Sequence, residues 1–358
     1  MRNRKRLIWI LVALLLVVLT FRTVLRMSEE LSLRSMAGAL RRADPAFLAL
    51  AFAAMLGYIV LEGEALLLIL RIFGYPRSQT EGLLYSAGDV YFSAITPSAT
   101  GGQPASAFFM LRSKIPGAVA TVTLLVNLIA YTAATLAVGF FTLLLWPGLF
   151  RALGRLPRLL IGSGLAVLTV LVALFYGMLR FGELLYRAGA WGLRLLHRLR
   201  LVRDVGAATE KLRAMVEQYK AVARMTHGRR SALLAVFLVD VLQRVSQITV
   251  TALVHLALRG DRAVTGWVWA SSAFAQIGSN FMPVPGGMGV ADFLLLQCFS
   301  RFLPREEGLR LELISRSVSF YLCMFLSGLI TLAGYLLVRR RARAKAQGTT
   351  DTTNHGKG

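Results

Sequence analysis

The sequence predicts an all-α integral membrane protein, with about six transmembrane helices plus two Pro/Gly-broken re-entrant hairpins arranged as an inverted repeat. Three observations lead there. The chain is 56% hydrophobic with a mean hydropathy of +0.60, too apolar for one soluble domain of 358 residues. Six apolar runs are long enough to cross a bilayer core of roughly 30 Å as plain helices. Two further apolar regions, 82–113 and 264–303, carry prolines and paired glycines that a simple spanning helix would not hold.

The first run, 7–26, follows Arg2, Arg4, Lys5 and Arg6, and no small-x-small cleavage site closely follows it. It reads as a retained first span with its basic end inside, rather than a signal peptide. Plain spans follow at 46–71, 117–146, 159–180, 231–258 and 313–338. Residues 181–230 hold 11 Lys and Arg against 4 Asp and Glu, which marks a basic cytoplasmic connector. Within it, 184–200 and 210–225 have amphipathic helical spacing, with Leu212, Met215, Val216, Tyr219 and Val222 along one face of the second. Such helices suit either an anionic leaflet or a connector whose charges enforce topology. The tail 341–358 is polar and expected to be disordered, so the membrane domain runs over 1–340.

The halves echo each other. Residues 46–146 read as helix, broken hairpin ("ITPSATGGQ"), "SKIP", helix. Residues 231–338 read as helix, broken hairpin ("FMPVPGGMG"), "RFLP", helix. With both termini and 181–230 cytoplasmic, the plain spans fit only if each broken region enters and leaves on one side. The two units then have opposite orientation, a plan shared by many transporters. Arg151, Arg155 and Arg158 fall on the outer side, a modest strain on the positive-inside rule.

The net charge of +23 raises a nucleic-acid partner. The basic residues sit between apolar runs, however, as topology requires, and no direct nucleic-acid binding is expected. Cys298 and Cys323 lie in apolar segments and read as small core residues. The histidines (His197, His227, His255 and His355) lack ligand spacing, so neither a metal nor a cofactor is expected. No Walker loop, HExxH or Ser-His-Asp arrangement stands out, and no catalytic residue is assigned.

Ionisable residues within the apolar runs are the main functional lead, since each costs roughly 2.5–3.5 kcal/mol at a helix centre. They are Glu62, Glu64, Asp89, Asp240, Arg244, Asp292 and Arg316. Asp240 and Arg244 are spaced to pair on one helix face. Glu62, Glu64 and Arg316 lie nearer span ends, where snorkelling is the plain alternative. Asp89 and Asp292 flank the broken hairpins, where each could cap a half-helix, bind a cationic headgroup or face Arg316. Gln103, Gln276 and Asn280 lie in the same two regions, and Asn127 sits mid-span.

At "YSAGDVYFSAITPSATGGQPASAFFMLRSKIPGAVATVTLLVNLIAY" and "SNFMPVPGGMGVAD" the chain resembles the lysylphosphatidylglycerol synthase transmembrane-domain family. This is the flippase-like region of the multiple-peptide-resistance-factor proteins, and the likeness covers roughly 7–340. The pattern matches at Pro97, Gly101, Gly102, Gln103 and Pro104, then at Pro283, Pro285, Gly286, Gly287 and Gly289. Asp292 stands where members often carry an acid and Arg316 where an Arg is common. Asn127 replaces a residue that is often charged in relatives. The resemblance implies a plasma-membrane protein that handles anionic or aminoacylated phospholipid and bears on antibiotic resistance. The full-length synthases add a C-terminal domain that transfers lysine to phosphatidylglycerol. This chain stops at Gly358, and the expectation is that it does not catalyse that transfer alone.

Three functions follow as expectations. The leading one is a translocase for aminoacylated or related phospholipid. The second is a phosphatidylglycerol lysyltransferase, or a subunit of one with a separately encoded aminoacyltransferase as partner. The third is an ion-coupled small-solute transporter. The residues expected at the substrate are Asp89, Pro97, Gly101, Gly102, Gln103, Asn280, Pro283, Pro285, Gly286, Gly287, Asp292 and Arg316. Glu62, Glu64, Asp240 and Arg244 are expected to form intramembrane charge pairs. A homo-oligomer is also left open.

Overall fold

The computed structural model describes residues 33–96, 99–198, 205–226, 228–280, 282 and 289–336. Every regular element among them is helical. A short helix, α1 (Leu33–Arg42), precedes the first long one, α2 (Pro45–Ile72). Asp44 starts α2 by accepting from the Ala46 N–H at 2.9 Å, and Pro45 opens it where no intrahelical N–H is needed. The first broken hairpin is α3 (Gln79–Ile95) and α4 (Gly102–Arg112), which pack on each other. Glu81 reaches back to accept from the Ser78 N–H at 3.2 Å at the start of α3. Then come α5 (Gly117–Leu145), the six-residue α6 (Pro147–Ala152) and α7 (Arg155–Arg198).

The second half repeats the order. After α8 (Val205–Thr226) come α9 (Arg230–Ala257), the hairpin α10 (Thr265–Ser279) and α11 (Val290–Phe299), and α12 (Arg305–Leu336). Within α12, Ser317–Leu322 form a π turn. Among the described residues, five helices are long and apolar enough to span a membrane: α2, α5, the Arg155–Gly177 part of α7, α9 and α12. They correspond to the five later spans expected from the sequence. The first expected span, 7–26, and the tail 341–358 lie outside the described residues.

One expectation changes in the connector. The helix expected at 184–200 is not separate but continues α7 beyond a kink at Phe181 (φ −130°, ψ 35°). It folds back on α8, where Lys220 lies 3.6 Å from Glu183 of α7 and 2.8 Å from Glu217 of its own helix.

The long helices α2 and α9 form the most extensive helix pair. Their direction follows from one contact: the Asp44 N–H at the start of α2 donates to the Ala257 carbonyl at the end of α9, at 2.8 Å. The two helices therefore run antiparallel. The first hairpin begins where α2 ends, and Arg77 ties its entry to its exit by donating to the Ser113 carbonyl at 3.1 Å. The second hairpin begins where α9 ends, and Trp267 and Phe302 close its mouth with ring centroids 6.0 Å apart. The two hairpins thus start from opposite ends of the α2–α9 pair.

Packing between these helices relies on small residues. A Cβ on Gly63 would stand 2.8 Å from the Gly82 carbonyl carbon and oxygen, so α2 and α3 touch backbone to backbone. The main core joins α2, α9, α10 and α11 through Met55, Ile59, Val250, Val254, Phe274, Leu294 and Phe299. Large apolar side chains point outward on the long helices, including Leu144 at 77% exposed and Leu159 at 69%. That distribution fits a lipid surround, where apolar exposure carries no hydrophobic penalty.

Candidate functional site

Three long helices meet at a buried polar node. Glu62 of α2 is 5% exposed and accepts from Asn127 Nδ2 of α5 at 2.8 Å and from Gln243 Nε2 of α9 at 2.5 Å. The adjacent Arg244 guanidinium lies between two phenol rings, 5.0 Å from the Tyr58 centroid and 4.4 Å from that of Tyr131. It also donates to the Tyr131 hydroxyl at 3.2 Å and to Gln243 Oε1 at 3.3 Å. Cation–π contacts of this kind stabilise most when desolvated. Asp240 is fully buried one turn before Arg244, yet neither of its oxygens has a hydrogen-bond partner among the described residues. No hydrogen bond joins Asp240 to Arg244 among the described residues; the arginine is set against the two aromatic faces and Gln243.

A second node lies at the second hairpin. Asp292 of α11 accepts from the Gly289 N–H at 2.8 Å, capping its own helix. Its other oxygen faces Arg316 Nε of α12 at 3.2 Å, an ion pair outside hydrogen-bonding geometry. Glu312, 2% exposed, precedes Arg316 by one turn. Arg316 also lies over the Phe320 ring at 5.0 Å.

At the first hairpin, α4 starts against α3. Ser93 donates to Asp89 Oδ1 at 3.0 Å, and Thr96 Oγ1 accepts from the Gly101 N–H at 2.9 Å. A Cβ on Gly102 would run into Asp89 Oδ1 and Ser93 Oγ, and would lie 2.8 Å from the Asp89 carbonyl. Only glycine lets the first turn of α4 come this close to the Asp89 carboxylate.

These parts surround one cavity of about 880 Å3. Both hairpin tips reach it, the first through Thr100 and Gln103 and the second through Ser279 and Asn280. Glu62, Asp89, Arg244 and Arg316 place both signs of charge on its wall. Its volume falls within the range of about 300–1,000 Å3 usual for small-molecule sites.

A family comparison bears on this cavity. The family model of the lysylphosphatidylglycerol synthase TM region matches residues 7–327. The chain belongs to this family. No curated protein matches it in a search of such sequences.

Among the residues expected at the substrate, Asp89, Gln103, Asn280 and Arg316 line the cavity, and Gly101, Gly102 and Asp292 support it from behind. Pro97, Pro283, Pro285, Gly286 and Gly287 lie outside the described residues. Glu64 is turned away and accepts from Gln79 Nε2 at 2.8 Å. Asn127 serves as a neutral donor to Glu62. No group of three or more His, Cys, Asp or Glu is arranged to hold a metal among the described residues.

Sequence reasoning missed Tyr58, Tyr131, Gln243 and Glu312. Glu312 had a usable signal, since "ELISR" repeats the acid-to-arginine spacing of "DVLQR". It lies one residue outside the span expected at 313–338. The tyrosines had none, because a tyrosine in a spanning helix is ordinary until its ring is seen against a guanidinium.

Proposed function

We propose that this membrane protein translocates an aminoacylated or related anionic phospholipid, with the headgroup passing through the cavity. One observation carries the reading: tips of two hairpins that start from opposite ends of the bundle line a single cavity with carboxylates and guanidinium groups. A lysylated phosphatidylglycerol headgroup carries a phosphodiester and ammonium groups, so it needs both signs. Family membership supports a role in lysylphosphatidylglycerol handling. In this reading the two halves form an inverted repeat that rocks about the cavity. The protein sits in the plasma membrane with both termini cytoplasmic, as the basic α7–α8 connector favours.

The test uses vesicles of phosphatidylglycerol containing lysylphosphatidylglycerol, with an impermeant amine-reactive label reporting the outer leaflet. Wild-type protein is expected to bring inner-leaflet lysyl lipid to the label, and Gly102→Leu to abolish this while still inserting. Equal labelling with and without the protein would sink the reading. The family name makes synthesis the second reading. New lysylphosphatidylglycerol in the lipids of cells expressing this chain alone would favour it.

A further inference from the structure

Two nodes of like composition flank the cavity. On α9, Asp240 precedes Arg244 by one turn, and on α12 Glu312 precedes Arg316 by the same spacing. Each node draws one more carboxylate from a different helix, Glu62 of α2 or Asp292 of α11. The arginines line the cavity, while Asp240 and Glu312 lie behind them at 0% and 2% exposure. Both oxygens of Asp240 and Oε2 of Glu312 lack a hydrogen-bond partner among the described residues.

Charge counting makes this arrangement informative. Two carboxylates against one guanidinium leave each node one negative charge in excess. Facing Asp240 are Glu62 across from α2 and Arg244 on its own helix, with Tyr58 of α2 and Tyr131 of α5 around the guanidinium. Asp89 of α3 acts on Glu62 and adds to the excess. Facing Glu312 are Asp292 of α11 and Arg316. A buried ion with no hydrogen bond is the costliest state such a group can take. One proton per node removes the excess of its own two carboxylates over the arginine, with Asp89 a further carboxylate beside the first node.

We propose that Asp240 and Glu312 are proton-binding sites, one per node, and that passage of lipid through the cavity is coupled to proton movement through them. The coupling rests on the cavity being the lipid path. With its proton in place, Asp240 leaves Arg244 to the two tyrosines and Gln243. When the proton departs to cavity water, the new carboxylate lies one turn from Arg244 and competes for it. Each proton thus changes the charge and the position of an arginine on the cavity wall. Glu312 acts on Arg316 in the same way, against Asp292 and Phe320.

The test has two readouts on the full chain in phosphatidylglycerol vesicles. Infrared spectroscopy separates the carbonyl stretch of a protonated carboxyl from the bands of carboxylates. At neutral pH the wild type is expected to show the protonated band, and Asp240→Asn and Glu312→Gln each to remove part of it. Asp240→Glu is expected to restore what Asp240→Asn removes, which separates proton binding from a folding defect. A band unchanged in both variants overturns the proton sites.

The second readout is the distribution of lysylphosphatidylglycerol under an imposed pH gradient with the membrane potential clamped. One proton per lipid supports about a tenfold ratio between leaflets per pH unit, since a unit is a tenfold change in proton activity. Asp240→Asn is expected to hold the ratio near unity. Wild-type redistribution that ignores the gradient overturns the coupling alone. No redistribution at all removes the lipid reading and the coupling together, while the infrared bands still decide the proton sites.

Discussion

The hydrogen bond from Asn127 to Glu62 ties α2 to α5 at 2.8 Å, and its strength reports the charge on the glutamate. Interhelical hydrogen bonds between neutral groups in membranes contribute on average about 0.6 kcal/mol, because the alternative state also finds partners. A bond to an ionised acceptor contributes about 1.5–3 kcal/mol. Glu62 is buried and accepts from two amides; with the node's proton on Asp240, as proposed above, Glu62 is the ionised partner of Arg244 and the larger figure applies. The perturbation is a double-mutant cycle of Asn127→Leu and Glu62→Leu. Leucine removes each hydrogen-bonding group at similar volume, and the cycle cancels the gain from burying an apolar side chain. The assay is reversible unfolding of the purified protein in mixed detergent micelles. A coupling of about 1.5–3 kcal/mol is expected. A value near 0.6 would make Glu62 neutral, and a value near zero would refute the claim that this contact joins the helices.

Other predictions concern the second node, the helix contacts and a buried cysteine. Arg316→Met leaves Asp292 without its cation and should cost about 3–5 kcal/mol in the same unfolding assay. Adding Asp292→Asn should recover much of this loss, because the amide oxygen can still accept from the Gly289 N–H. Gly63→Ala drives a methyl into the Gly82 backbone and should cost about 1–3 kcal/mol. Gly162→Ala meets nothing within 4 Å and should stabilise α7 by roughly 0.8–1.0 kcal/mol through helix propensity alone. Cys298 is a fully buried thiol off the cavity wall, so a hydrophilic maleimide should not label it until the protein is denatured. Labelling of Cys298 in the folded protein would contradict the packing around α11.

Much of the fold was legible because bilayer physics writes it plainly. Long apolar spans, with prolines at their starts at Pro45, Pro116 and Pro304, leave little choice of helix. The hairpins were legible for the opposite reason, since paired glycines and prolines forbid continuous helix at those places. The site was half legible. Charged residues in apolar runs pointed to Asp89, Asp292 and Arg316, and these reach the cavity or its wall. Pairing was not legible, because spacing alone cannot say which way a long side chain turns. Asp240 and Arg244 have the right separation, yet the arginine takes two tyrosine faces from α2 and α5. Only the crossing of three helices brings those rings to it.

Irregular backbone itself marks the cavity. Helix α3 ends at Ile95, α10 ends at Ser279, and α12 widens to a π turn over Ser317–Leu322. Each of the three places contributes to the same wall, through Thr100, Asn280 and Ser319. Inside a bilayer such backbone is tolerated only where protein covers it or a cavity wets it, and π turns occur often at functional sites. The π turn begins directly after Arg316, so the side chain that closes the second node sits where the regular helical hydrogen-bond pattern changes. A change in charge at Glu312 or Asp292 would then act at this irregular turn. The first node has no such turn, and Arg244 there is held by rings instead. Movement should therefore be larger at Arg316 than at Arg244. Distance measurements between spin labels on α12 and α9, before and after acidification, would show it as a shift confined to the segment after Arg316.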